Sequence, residues 1–226
     1  MKDFALDGRL LSVARLVRQG AVFADIGTDH AYLPLALLRD GRISRAVCSD
    51  INEGPLSSAM ANAREAGLFD KISFHLTDGA AALSGEGITD AAIAGMGGEL
   101  IADIISRAPF FKDGSVRLIL QPMSRQAHLR RFLVSEGFEI TDEDYSFSQG
   151  KYYVTLAARY TGTVHSLSDG EAELGRLLKK KCLSDEERGY LTQKKRALLR
   201  AAEGKRRGGL DASEEEKIIN LLSTVN

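Results

Sequence analysis

Apolar positions in this chain follow two rhythms, and the change between them falls near residue 161. Up to residue 160, short apolar runs alternate with stretches of helical spacing. Beyond it only helical spacing remains. Leu6, Leu10, Val13, Leu16 and Val17 fall on one face of a helix over residues 6–18, with Arg9, Arg15 and Arg18 on its solvated face and substrate phosphate contact as their alternative role. Compact apolar runs predict strands over Ala21–Ile26 and residues 45–50, 72–76 and 116–122, and another that opens at Asp90 and ends in a glycine-rich turn. Helices over 31–39, 55–65, 99–107 and 124–136 fill the intervals, with Pro55 opening the second and Gly67 past its end. His75, without a partner nearby in sequence, reads as a core histidine of the third strand. Two last strands, 138–147 and 151–160, are separated only by Ser148, Gln149 and Gly150. So short a link makes them antiparallel.

These elements predict an α/β, Rossmann-like fold with a seven-stranded, mostly parallel sheet whose last strand runs antiparallel. That layout is the class I methyltransferase arrangement rather than that of a dinucleotide dehydrogenase. Residues 161–226 predict a separate, small α-helical domain, antiparallel and coiled-coil-like, after a first domain of residues 1–160. Three capping boxes open its helices: Ser168 with Glu171, Ser184 with Glu187, and Ser213 with Glu216. Between Lys194 and Arg207 lie Lys194, Lys195, Arg196, Arg200, Lys205, Arg206 and Arg207 against the single acid Glu203. A solvated helix is the plain reading of that segment. If the chain grips a polyanion, this is where the grip falls.

The candidate chemistry gathers at the ends of the strands. The first strand runs into Asp25-Ile26-Gly27-Thr28-Asp29-His30, and a helix follows. Such a junction presents backbone N–H groups and a helix start at the C-terminal edge of a sheet. Glycines at the positions of Asp29 and Tyr32 would make a dinucleotide fingerprint. The acids found instead suit a cationic ligand without phosphate, and S-adenosylmethionine is such a ligand. Asp50 ends the second strand 23 positions after Gly27, near the ~20-residue interval at which an acid meets a ribose hydroxyl pair. Asp78 and Gly79 end the third strand, where a carboxylate and a backbone N–H can hold an adenine. Gly95, Met96, Gly97 and Gly98 end the fourth strand and read as a wall of the same site. Gln121 is the polar group at the end of the fifth strand.

Composition narrows the partners. A formal net charge of −1 gives no global pull toward nucleic acid or membrane, so a polyanion must be met locally. No apolar run reaches a membrane span, and residues 1–4 lack a signal peptide's apolar core. Cys48 and Cys182 lie far apart and read as reduced cytosolic thiols. The four histidines share no ligand spacing, so no metal site is expected.

Asp-Ile-Gly-Thr-Asp-His-Ala-Tyr-Leu-Pro (25–34), Ile-Ala-Gly-Met-Gly-Gly (93–98) and Leu-Ile-Leu-Gln-Pro (118–122), set before a helical C-terminal part, resemble the bacterial TrmK-type tRNA methyltransferases. The resemblance covers about residues 4–160. It implies a cytoplasmic enzyme that methylates N1 of adenine 22 in tRNA with S-adenosylmethionine, and no membrane or metal. It places the cofactor on Asp25, Gly27, Asp29, His30, Asp50, Asp78, Gly79, Gly95, Met96 and Gly97. The chain carries Gly-Met-Gly-Gly where many amino-group methyltransferases carry Asn-Pro-Pro-Tyr, which fits attack by a ring nitrogen. The catalytic candidates are Asp29 and Gln121, as acceptors for the exocyclic amine, and Met96. Tyr32 and Met96 are the candidate stacking surfaces for an extruded base, and the seven basic residues from Lys194 to Arg207 the candidate tRNA contacts. Two other readings stay open: a methyltransferase for a small molecule or protein, and a non-catalytic RNA-binding protein with a vestigial pocket. Monomer and homodimer are equally compatible with an amphipathic helical appendage.

Overall fold

The structure is a computed structural model that describes residues 5–223 and 225. Residues 1–4, read above for the absence of a signal peptide, lie outside the described residues. The elements run α1 (Gly8–Leu16), β1 (Ala21–Ile26), α2 (Tyr32–Arg39), β2 (Ile43–Asp50), α3 (Glu53–Glu65), β3 (Ile72–Leu76), β4 (Asp90–Gly97) and α4 (Gly98–Ser106). They continue with β5 (Arg117–Ser124), α5 (Gln126–Ser135), β6 (Phe138–Ser148), β7 (Lys151–Tyr160), α6 (Asp169–Leu174), α7 (Asp185–Arg207) and α8 (Ser213–Leu222).

The seven strands form one sheet in the order β3-β2-β1-β4-β5-β7-β6. Neighbours from β3 to β5 pair in parallel, and β7 pairs antiparallel with both β5 and β6. Gln149 (φ 48°) and Gly150 (φ 77°) link β6 to β7 in the left-handed geometry that a two-residue hairpin requires. The order reverses between β1 and β4, so their C-terminal ends open a crevice. Alternate residues of the sheet feed two apolar layers. Phe23, Cys48 and Ala92 pack with Val13 of α1, Leu35 of α2 and Ala59 of α3. Ile26, Ile93 and Leu118 pack with Ile101 and Ile105 of α4 and Leu129 and Leu133 of α5.

The second layer does not stop at residue 160. Leu174, Leu177, Tyr190, Leu191, Ile218 and Leu222 belong to the same continuous core. A buried polar clasp joins them to the sheet. Arg130 Nε donates to Glu143 Oε1 at 2.7 Å, with both side chains 1% exposed. The Tyr145 hydroxyl (2.6 Å) and Arg176 N–H (3.1 Å) donate to Glu143 Oε2, and Arg130 Nη1 donates to the Ala172 carbonyl (3.0 Å). Burial alone would push the Arg130 guanidinium down, and the Glu143 carboxylate beside it raises it instead. A Cβ on Gly175 (φ 55°) would overlap the Glu143 carboxylate, so the chain passes the clasp on a glycine.

α7 and α8 run antiparallel, with Lys205 on Glu215 and Lys195 on Ser223 along their seam. The capping boxes at Ser168 and Ser184 form. The third does not. Ser213 lies inside α8, Ala212 takes the capping position, and the Ser213 hydroxyl is drawn to Asp211 (2.7 Å) while Glu216 pairs with Arg206. His75 is likewise not a core residue: it is half-buried, with Nε2 3.0 Å from Glu86 Oε1, at ion-pair distance but outside hydrogen-bond geometry. Nor are Arg15 and Arg18 merely solvated. Arg15 pairs with Asp144 at 2.5 Å and Arg18 with the buried Asp90 at 2.6 Å, and they tie α1 across the sheet.

Candidate active site

Local backbone shape at the end of β1 makes the first wall. Gly27 (φ 75°) turns the chain, and the N–H groups of Gly27 and Thr28 both donate to the Ser49 carbonyl (2.8 and 2.9 Å). Asp29 (φ 51°) and Ala31 (φ 57°) are also left-handed, a conformation that costs a residue with a Cβ about 1 kcal/mol or more. Ala31 caps α2, which therefore starts at Tyr32, one residue later than the pattern predicts. Strain of this kind persists where surrounding bonds over-determine it. Here Asn62 Nδ2 holds the His30 carbonyl at 3.0 Å, and Asp50 Oδ2 accepts from Asp29 N–H at 3.4 Å.

The acids then converge. Asp25, at the buried end of β1, accepts from the Thr28 hydroxyl at 2.7 Å. Burial pushes its carboxyl up to about 6, only partly opposed by the Thr28 hydrogen bond and the Arg9 charge. Asp50 accepts from Asn52 N–H at 2.9 Å through its other oxygen. Asp78 is held by Arg107 (2.8 and 3.3 Å), whose guanidinium keeps the carboxyl below its usual range. Asp29 and His30 stand 3.5 Å apart at the mouth, and the His30 and Tyr32 rings stack at 5.3 Å. Opposite, a Cβ on Gly27 would overlap Met96 Cε, so that glycine is what admits the Met96 side chain.

These groups line one cleft of about 650 Å³. It brings together Asp25, Gly27, Asp29, His30, Tyr32, Asp50, Asp78, Gly79, Gly95 and Met96. Gly97 and Gln121 do not line it. Gly97 caps α4 behind the wall. Gln121 is fully buried, and its Oε1 already accepts from Gly95 N–H (3.0 Å) and Arg9 Nη1 (3.2 Å). Its carbonyl is thus committed to shaping the Gly95 turn, which removes it as an acceptor for a substrate amine. Sequence reasoning missed Asp7, Ile51 and Leu100, and it favoured a solvated Arg9 over one in contact with substrate; all four line the cleft. Helical periodicity put Arg9 on the face away from the core, and so it is; that face looks onto the crevice rather than bulk solvent.

The basic C-terminal segment is mostly spent on its own acids. Lys194 pairs with Glu173 at 2.6 Å and is 13% exposed, and Lys205 pairs with Glu215 at 2.7 Å. Arg206 pairs with Glu216, Arg207 with Glu203, and Lys195 donates to the Ser223 hydroxyl. Arg196 and Arg200 are exposed and make no ion pair with another described residue.

Asp25 gives a pH prediction. Its carboxyl is raised from 3.8 to about 6, so the native state holds a proton that the unfolded chain has released. Its contribution to stability therefore falls by about 3 kcal/mol as pH rises from about 4 to about 6. Asp25→Asn, isosteric and uncharged, is expected to lose this fall and to be more stable than the parent at pH 7. Urea unfolding of both proteins at pH 4.5 and 7 checks it; parallel pH dependences would refute the assignment.

The doubly wound sheet with its inserted antiparallel strand, and an acidic glycine-turned cleft at the reversal of strand order, define a class I methyltransferase. Residues 6–156 match the family described as "Methyltransferase domain". Over 159 residues the chain is 40% identical to the tRNA (adenine(22)-N(1))-methyltransferase of Bacillus subtilis (strain 168), a stretch spanning 70% of this chain and 66% of that protein. The crystal structure of the B. subtilis m1A22 tRNA methyltransferase TrmK superimposes with a TM-score of 0.82 at 31% identity over 99% of both chains. Sp1610 of Streptococcus pneumoniae, solved with S-adenosyl-L-methionine, gives a TM-score of 0.83 at 33% identity over 98% of this chain and 99% of that one. The chain belongs to the TrmK family of tRNA methyltransferases.

Proposed function

We propose that this chain transfers a methyl group from S-adenosylmethionine to N1 of adenine 22 in tRNA, in the cytoplasm. The observation that carries the reading is the cleft itself, in which four strand-end carboxylate and glycine turns face one space beside a TrmK-type sequence. The residues present suit the cofactor. Asp50 offers two oxygens to a ribose diol, Asp78 and Gly79 stand where an adenine edge can be held, and Asp25 and Asp29 give negative charge for a sulfonium and an ammonium. When bound, the cofactor supplies an electrophilic methyl group.

The chain's own work is alignment. N1 of adenine carries a lone pair in the ring plane, so no base is needed to create the nucleophile, only a held geometry. Met96 and the Gly95 turn, pinned by Gln121, form the wall against which the base is set. The methylated ring gives up a proton from its exocyclic amine, and Asp29, 68% exposed at the mouth, is the acceptor we assign. Tyr32, partly exposed beside it, is the stacking surface for the extruded base.

Residues 161–226 act as the tRNA-contacting domain in this reading, with Arg196 and Arg200 of its basic segment exposed and without an ion pair among the described residues. Gln193 of α7 bonds the Tyr152 backbone at the start of β7 (2.9 and 2.8 Å). Because β7 runs antiparallel to β5, that point lies on the same sheet edge as the cleft.

Tritium transfer from labelled S-adenosylmethionine to unmodified tRNA transcripts, followed by nucleoside digestion, is the test. Label is expected in 1-methyladenosine, lost when adenine 22 is replaced, and falling steeply with salt. Glutamate at both Arg196 and Arg200 should raise KM for tRNA while cofactor affinity is unchanged. Cofactor binding without label in tRNA would turn the assignment toward a small-molecule or protein substrate.

A further inference from the structure

A second hollow, of about 380 Å³, lies beside the wall of the cleft. Met123 and Gln126 from the end of β5, Tyr152 from β7, and Ala197, Leu198 and Ala201 of α7 line it, so it joins the sheet to the C-terminal helices. Its character is the opposite of the cleft's. Five aspartates line the cleft, whereas no acid is among the described residues that line the hollow, which adds Lys151 and Lys194. An apolar, aromatic floor with a cationic rim suits an unstacked nucleobase on its phosphate backbone. We propose that this groove receives a tRNA base next to the extruded adenine, while Arg125, on the ridge between groove and cleft, holds the phosphate that links them. The proposal rests on the tRNA reading above and names where the strand goes once it leaves the cleft.

The two hollows are neighbours. Met96 of the cleft registers with Pro122, and Gly97 with Ser124, on adjacent strands about 5 Å apart. Gln121 spans the wall between them: Oε1 accepts from Gly95 N–H on the cleft side, and Nε2 donates to Met123 Sδ at 3.7 Å on the groove side. Arg125 stands on that wall in the left-handed region (φ 58°, ψ 37°), which glycine adopts freely and a residue with a Cβ only at about 1 kcal/mol or more. Its turn packs directly on the cleft wall, because a Cβ on Gly98 would come within 2.6 Å of the Arg125 carbonyl. The guanidinium is held outward, 68% exposed and loosely paired with Glu99 at 3.4 Å. Strain of this kind gathers at ligand sites, and phosphate is the anion an RNA strand brings to an arginine fork. The groove's floor is fixed in advance. Gln193 holds the Tyr152 backbone by two bonds, and the Tyr152 ring packs on Phe147 (4.8 Å) and over Gly189, where a Cβ has no room. Lys194 is spent on Glu173. The rim cations are therefore Lys151, exposed and without an ion pair among the described residues, and Arg200, about two helical turns after Gln193.

Unmodified tRNA carrying 2-aminopurine, a base whose emission is quenched by stacking, tests this on the full-length protein without methyl transfer. One transcript carries it in place of adenine 22, and two others carry it at the positions on either side. Emission should rise on binding at position 22 and at one of the two neighbours. Ala197→Leu with Ala201→Leu, both at exposed helix positions, fills the groove without adding an aromatic face. In that variant the neighbour's signal should be lost while position 22 still responds. Its Kd for tRNA should rise at least about 5-fold, the lower value for one stacked base. Arg125→Gly should melt at a higher temperature than the parent and bind tRNA more weakly, with affinity for S-adenosylhomocysteine unchanged. Arg125→Lys should keep part of the tRNA affinity. A response at position 22 alone in the parent, or a neighbour's signal that survives the filled groove, would overturn the proposal and leave the groove to a protein partner. Parent affinity for tRNA in Arg125→Gly would overturn the phosphate contact. No response at position 22 would instead overturn the tRNA reading itself.

Discussion

Glu143→Leu is expected to destabilise the protein by about 3–5 kcal/mol, the cost of leaving a buried charge without its partner. Arg130 is fully buried and has no water to turn to once the carboxylate is gone. The same substitution strips the acceptor from the Tyr145 hydroxyl and from Arg176 N–H, which adds unsatisfied donors. Replacing both charges, as Arg130→Met with Glu143→Leu, should recover most of the loss, because a well-packed apolar pair avoids the desolvation of two ions. Urea unfolding of the single and double variants measures it. A double variant as unstable as the single one would show that the clasp acts through something other than the ion pair. The clasp joins α5 and β6 to the segment around Ala172 and Gly175, so its loss should also loosen the C-terminal helices from the sheet.

The second large effect is expected at Asp50. Its two oxygens accept from Asn52 N–H and Asp29 N–H, so the carboxylate holds the strained loop in place while it faces the cleft. Asp50→Ala removes the acceptor for a ribose diol and releases the loop together. Two charge-assisted hydrogen bonds support a loss of cofactor affinity on the order of 100-fold, with about 1–3 kcal/mol of stability lost. Asp50→Asn, which keeps one acceptor oxygen, should fall between. Calorimetric titration with S-adenosylhomocysteine, beside a thermal melt, separates the two contributions. Unchanged affinity with a lowered melting temperature would leave Asp50 a structural residue only.

Much of this molecule is legible from local pattern. The strand Ala21–Ile26 and the hairpin strands follow from runs of apolar residues bounded by glycine or acid, and they form where the pattern puts them. The acids at the ends of the first three strands could be picked out because a carboxylate after an apolar run needs a reason to be there. Ser213 shows the limit of such patterns. Its spacing to Glu216 matches that of the two boxes that form, yet Asp211 and Arg206 compete for the same groups from outside the motif.

The basic segment meets the same limit, since four of its seven cations pair with carboxylates. A count of lysines and arginines cannot show that Glu173 of α6 and Glu215 and Glu216 of α8 come back to meet them, because those acids arrive through the packing of three helices. Gln121 and Arg9 are 112 positions apart in the chain and share one oxygen atom in the fold.

The sequence by itself determined the elements, their order and the acids and glycines at the strand ends, since each depends on residues a few positions apart. Only the tertiary structure decided which charges remain free, that Arg9 enters the cleft while Gln121 withdraws from it, and that the C-terminal helices share the core of the sheet. Side-chain partners are chosen by packing across the chain. A periodic pattern shows which face is polar but not what that face meets.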